Sequence, residues 1–164
     1  MNVIFLDIDG VLNDSQSKTK TPNGFVGIDD KKVKALGEIA KYLDAKIVLS
    51  STWKNEWSKD KYLCSKDAIY MINKLKYKGN ILIYDKINET TEVSRGWDIL
   101  QWIRNHNVDK YIILDDFGFD FLEYEEISSH VIKTLDGIQT AYPLMPNHVD
   151  YIDDCIKIIN NSFG

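Results

Sequence analysis

Proline and glycine are scarce in this 164-residue chain, three and nine respectively, and with 44% hydrophobic residues that excludes a collagen-like, low-complexity or disordered chain. Cysteine is nearly absent. Cys64 and Cys155 stand apart, with no CxxC and no nearby histidine pair, so neither a disulfide nor a zinc framework is expected, only reduced buried thiols. The apolar runs at 3–6 and 111–114 are far shorter than the roughly 18 to 20 residues a membrane span needs. No membrane partner is expected. Basic residues are outnumbered, 20 Lys and Arg against 25 acids, giving a net charge of -5 and an isoelectric point near 5.2. A field of that sign disfavours nonspecific coating of nucleic acid, although a local basic patch is compatible with it. The opening MNVIFLDIDG has no basic leader and no small-residue cleavage site, and reads as a mature, cytoplasmic start. His106, His130 and His148 are scattered, which argues against a histidine phosphatase or a histidine metal cluster. No repeat, linker or charge block is present, and nothing marks an obligate protein partner.

What is present is the material of one globular domain, 1–164, of 19.0 kDa. Short apolar runs alternate with helix-period stretches along its length, the pattern of an α/β fold in which helices cover a mainly parallel sheet. Five strands are expected, at 2–6, 46–49, 81–84, 111–114 and 131–135. Asp29 or Asp30 can cap a first helix carrying Val33, Leu36, Ile39, Ala40 and Leu43 on one stripe. Ala68, Ile69, Ile72 and Leu75 mark a second; Ile99, Leu100, Trp102 and Ile103 mark a third. Ile152, Ile156 and Ile159 mark a closing helix. Residues 13–27 are polar and show neither period, so they read as a loop, functional or mobile because of its length.

The first strand runs into Asp7-Ile8-Asp9-Gly10-Val11-Leu12-Asn13. In an open α/β sheet ligands bind at the carboxyl ends of strands, and two carboxylates placed there are costly unless a cation neutralises them. Three later segments occur in a telling order. The strand at 46–49 ends in Ser50-Ser51-Thr52; Arg95-Gly96 opens a helix about twenty residues before the next acids; and the strand at 111–114 runs into Asp115-Asp116-Phe117-Gly118-Phe119-Asp120.

Together these resemble the four motifs of the haloacid dehalogenase (HAD) superfamily of phosphotransferases. The SSTW and RGWDI segments are closest to the small, capless HAD domains of RNA-repair (Swiss Army Knife) proteins. The resemblance implies a single three-layer Rossmann-like domain without a large cap, in which 13–27 forms an active-site flap. It further implies a Mg²⁺-dependent phosphohydrolase, with Asp7 as the nucleophile that becomes an aspartyl phosphate and Asp9 as acid and then base. Asp7, the Asp9 carbonyl and Asp116 would bind Mg²⁺, with Asp115 and Asp120 holding metal-bound waters. Ser50 would donate its hydroxyl to a phosphoryl oxygen, helped by Ser51, Val11 and Gly10, and Arg95 would neutralise charge, with Lys86 its competitor because most of the superfamily uses Lys.

Trp53, Trp57 and Trp97 lie beside the motifs, as packing residues or as surfaces for a base. Thr134 and the Asp136-Gly137 turn border the same rim. Lys18, Lys20, Lys54 and Lys59 offer a basic rim. The expected substrate is a phosphorylated macromolecule such as a nucleic-acid end. The alternatives are a nucleotide or sugar phosphatase, or a catalytically silent phosphate-binding domain. A receiver-type signalling module is disfavoured by chain order, because its acid pair follows the first strand and its acceptor aspartate the third.

Overall fold

The computed structural model describes residues 1–88, 94–116, 121–134, 137–138 and 157. Five strands form one all-parallel sheet: β1 (Asn2–Leu6), β2 (Ala45–Leu49), β3 (Ile83–Lys86), β4 (Lys110–Asp115) and β5 (Val131–Lys133), in the order β3-β2-β1-β4-β5. Among the described residues the helices are α1 (Asp30–Tyr42), α2 (Lys66–Gly79), α3 (Arg95–Arg104) and the short α4 (Glu125–Ser128). Two 3-10 turns, Thr52–Glu56 and Lys61–Leu63, precede α2.

Strand alternation sorts the core into two layers. Ile4, Leu6, Ile47, Leu49, Ile112 and Leu114 face α1 and α2, meeting Val33, Leu36, Ile39, Ala68, Met71 and Leu75. Val3, Phe5, Val48, Tyr111 and Ile113 face the other way, toward Ile99, Leu100, Trp102 and Ile127. Because both faces are covered, the central strands carry consecutive apolar runs, 3–6, 47–49 and 111–114, rather than alternate apolar positions. Phe5 anchors the second layer, with its ring edge-on to Trp102 at 5.5 Å and to Tyr111 at 6.0 Å between centroids.

The helix ends follow local chemistry. The Ser65 hydroxyl accepts the Ala68 amide at 3.1 Å to open α2, and Asn80, left-handed at φ 54, closes it. That closure displaces the third strand from its expected place. The Asn80 and Ile81 amides turn back to the carbonyls of Lys76 and Leu75, so Ile81 belongs to the helix cap and β3 starts at Ile83 instead of 81. Lys41 lies in the last turn of α1 and Asp30 in its first, favourable signs for the helix dipole. Cys64 is half-buried, not buried, with its sulfur against the Ser58 amide and carbonyl. The expected closing helix with Ile152, Ile156 and Ile159, as well as Leu135, Asp136 and Cys155, lies outside the described residues. Among the described residues no helix is long and apolar enough to cross a membrane.

The segment expected as a loop at 13–27 is built. Lys32 pairs with Asp14 at 2.9 Å, Ser17 donates to Asp29 at 2.6 Å, and Lys20 bridges Val26 in a small antiparallel hairpin. The hairpin is pinned to α2: Thr21 donates its hydroxyl to Asp67 at 2.8 Å, the Asn23 amide donates to the other Asp67 oxygen at 3.0 Å, and the Ile28 amide donates to the Tyr70 hydroxyl at 3.0 Å.

Since Phe5 is fully buried between two aromatic rings, Phe5→Ala should cost about 3–5 kcal/mol in urea unfolding. A loss under about 1 kcal/mol would mean that the α3 face is not a true core.

Candidate active site

Parallel register alone brings the acids together. Leu6 is paired with Leu49 on one side and Leu114 on the other, so the next residue of each strand, Asp7, Ser50 and Asp115, falls in one row at the carboxyl edge. Backbone bonds fix the row: the Ser50 amide donates to Leu6 and the Asp7 amide to Leu114, each at 3.0 Å. Carboxylate oxygens of Asp7, Asp115 and Asp116 lie within 4.8 Å of one another, and Asp7 and Asp115 are buried. Arg95, the first residue of α3 after its Ser94 cap, reaches over the row. Its guanidinium donates to Asp115 at 2.7 Å and stands 3.5 Å from Asp7. Lys86 is elsewhere, donating to the carbonyls of Lys54 and Trp57 at 2.9 and 2.8 Å.

Among the described residues, one guanidinium faces three carboxylates, two of them buried. The Asp7 carboxyl is pushed from its ordinary 3.8 up to about 8, first by burial and then by Asp115 and Asp116, against the opposing pull of Arg95. An all-oxygen donor set with surplus negative charge suits a hard divalent cation, and Asp7, Asp115 and Asp116 are the residues that would hold it. The chain approaches this closely only because of a glycine. Gly10 has φ +80, and a Cβ there would overlap the Asp116 carboxylate.

Beside the row the Ser50 hydroxyl is fully buried and has no hydrogen-bond partner among the described residues, an unmet polar group of a kind that costs about 1–3 kcal/mol. Asp9 sits on the exposed side of the turn. One of its oxygens accepts from the Asn13 amide at 2.9 Å and the other from the Trp53 indole at 3.2 Å. Asn13 is buried and also binds the Gly10 amide at 2.8 Å and the Gly27 carbonyl at 3.0 Å, joining the turn to the hairpin.

Residues 3–140 match the family described as the HAD domain in Swiss Army Knife RNA repair proteins. The chain belongs to this family. Comparison with curated proteins and with solved structures gives no match.

In this HAD domain, Asp7, Ser50, Arg95, Asp115 and Asp116 are brought to one place, and Asp9 stands at its exposed edge. Two amides expected near a phosphate have other partners: Val11 donates to the Ile8 carbonyl and Gly10 to Asn13. Ser51 is buried, and its hydroxyl accepts the Trp53 amide at 3.3 Å as the cap of the 3-10 turn. Asp120 lies outside the described residues.

Residues for which the sequence suggests no positioning role, Trp53, Thr134 and Gly137 among them, do much of the positioning. Asn13 and Trp53 orient Asp9. Thr134 donates to the Gly10 carbonyl at 2.6 Å, Gly137 to the same oxygen at 2.8 Å, and Ile138 to Val11 at 2.8 Å, so the chain beyond β5 straps the acidic turn. A buried asparagine three residues after a glycine turn was the available signal for Asn13.

The raised Asp7 carboxyl gives a sign to the pH dependence of the metal-free protein. Between about pH 4 and 8 the folded state keeps a proton that the unfolded chain has released, so this group's contribution to stability falls as pH rises through that window. In chelator, wild type should lose stability between pH 5 and 8, and Asp7→Asn should lose about 1–3 kcal/mol less in urea unfolding. Parallel pH curves for the two proteins would show that Asp7 carries no such strain.

Proposed function

We propose that this HAD domain is a Mg²⁺-dependent phosphomonoester hydrolase that works through an aspartyl phosphate on Asp7, with a phosphorylated nucleic-acid end as substrate. One observation carries the reading: the Asp7 carboxylate lies in a buried row between Asp115 and an unpartnered Ser50 hydroxyl, with the Arg95 guanidinium over it. Phosphoryl transfer needs little more than such positioning and charge neutralisation.

In the first step Asp7 attacks phosphorus, the bond to the ester oxygen breaks, and Asp9 gives that oxygen a proton. In the second, water attacks the acyl phosphate while Asp9 takes a proton back, releasing phosphate and the free Asp7 carboxylate. Ser50 donates to a phosphoryl oxygen, and Arg95 spreads its charge over Asp7 and the transferring group. Asp7 and Asp116 would hold the ion directly, with Asp115 behind them; what Mg²⁺ supplies when bound is positive charge that lets the carboxylates stay ionised beside a phosphate.

The nucleic-acid end is supported by the family's description, which places such domains in RNA repair proteins, and by length. The segment between β1 and α1 holds only a turn and a hairpin, and 87–94 alone separates β3 from α3, so neither interval carries a cap and a large substrate can exclude water itself. Of the lysines expected at the rim, Lys54 is buried, which removes it; Lys18, Lys20 and Lys59 are exposed.

With Mg²⁺, the wild type should turn over a 3′- or 5′-phosphorylated oligonucleotide better than a phosphopeptide, with kcat/KM falling as salt rises. Asp7→Asn should fold and lose several orders of magnitude of turnover, and turnover kept by that variant would sink the covalent route. Asp9→Asn should slow an alkyl phosphate about 10²–10⁴-fold but spare the first step with nitrophenyl phosphate, whose leaving group needs no proton. Equal losses on both substrates in single-turnover assays would remove Asp9 from the acid role.

A further inference from the structure

A groove of about 340 Å³ opens directly beside Asp9, lined by Phe25, Trp53, Asn55, Glu56 and Asp67. It lies on the side of the exposed carboxylate rather than of the buried row. Given the role proposed for Asp9, a group carried on the oxygen that Asp9 protonates would lie toward this groove.

We infer that Phe25 and Trp53 determine specificity by taking a nucleobase of the leaving nucleoside in this groove. Phe25 is 68% exposed on a hairpin whose backbone is held by Thr21, Asn23 and Asp67. An aromatic ring fixed in water contributes nothing to the core and is available to stack. Trp53 is half-buried against the helical layer, and its indole bond to Asp9 fixes the ring beside the reacting edge. Two planar rings on one small groove suit a planar ligand, since every base has a face to stack. At about 340 Å³ the space is at the small end of ligand sites, room for one nucleoside rather than a run of bases.

Charge narrows the ligand further. Among the described residues, the lining carries the carboxylates of Asp9, Glu56 and Asp67 and no lysine or arginine. A leaving group bearing its own phosphate in the groove would be repelled, whereas a neutral base is not. Asn55 offers both donor and acceptor to a base edge. Any further phosphates of a strand must leave the groove past Phe25. This inference rests on the phosphohydrolase reading and adds to it the residues that recognise the leaving group.

The test compares adenosine 3′- and 5′-monophosphate, ribose 5-phosphate and acetyl phosphate in wild type, Phe25→Ala, Phe25→Tyr and Trp53→Leu, with Mg²⁺. Wild type should prefer the better adenosine phosphate over ribose 5-phosphate at least tenfold in kcat/KM, mostly through KM. Phe25→Ala and Trp53→Leu should each collapse that ratio at least fivefold, and Phe25→Tyr should restore it. A second readout does not depend on turnover: in Asp7→Asn, adenosine monophosphate should quench tryptophan fluorescence saturably, and the added changes Phe25→Ala and Trp53→Leu should weaken or abolish the quench. Equal use of ribose 5-phosphate by wild type, or equal losses on all substrates in Phe25→Ala, would overturn the seat. If wild type hydrolyses nothing, acetyl phosphate included, the phosphohydrolase reading fails, and the quench alone then decides: saturable and Phe25-dependent supports the seat, absent overturns it.

Discussion

Three carboxylates crowded at the end of a parallel sheet are the constraint on which this molecule turns. Asp7 and Asp115 are buried side by side because their strands are in register, and Asp116 approaches from the turn that follows. Arg95 offsets part of the charge, and the Asp7 carboxyl still rises to about 8. A carboxyl held protonated by burial and by its acidic neighbours is one that a bound cation would help to ionise. Ordinary packing would have eliminated such a cluster.

The surrounding backbone follows from that crowding. A turn tight enough to pass Asp116 admits no side chain at Gly10, and a turn without a side chain has little stiffness of its own. Stiffness comes from outside the turn. Asn13 binds the Gly10 amide from within the loop, while Thr134 and Gly137 take its carbonyl from beyond β5. The loop after β1 and the chain beyond β5 thus meet at one residue, Gly10, and disturbance of β5 should reach the acids through it.

The sheet and the acids were legible in the sequence because both are written in short, strong signals. Apolar runs such as 2–6 cannot be solvated and must be buried on both faces, and Asp7, Asp9, Asp115 and Asp116 are charges at the ends of such runs, where a parallel sheet exposes its edge. Boundaries were less legible where two local rules compete, as at Ile81, whose apolar side chain fits a strand while its amide caps a helix. The hairpin at 20–26 was invisible. Its hydrogen bonds run to Asp67, distant in sequence, and nothing in the local pattern of Thr21 or Asn23 announces that partner. Lys54 read as a surface lysine in a similar way: it belongs to the 3-10 turn 52–56, and its burial comes with the packing of that turn, where Lys86, distant in sequence, donates to its carbonyl.

Asp7 and Asp9 are one residue apart and occupy opposite environments, and the roles proposed for them require this. A nucleophile is strengthened by a dry setting, where neighbouring charges act with little screening, and Asp7 is buried. A group that gives a proton in one half-reaction and takes one in the next must exchange with water between them, and Asp9 is exposed. Exposure alone would leave its carboxylate free to swing away. The Asn13 and Trp53 donors remove that freedom, holding one oxygen each. The indole therefore both aims the carboxylate and walls the groove, so a change at Trp53 should disturb proton transfer and leaving-group recognition together, whereas a change at Phe25, which lines the groove from the hairpin, should bear on recognition.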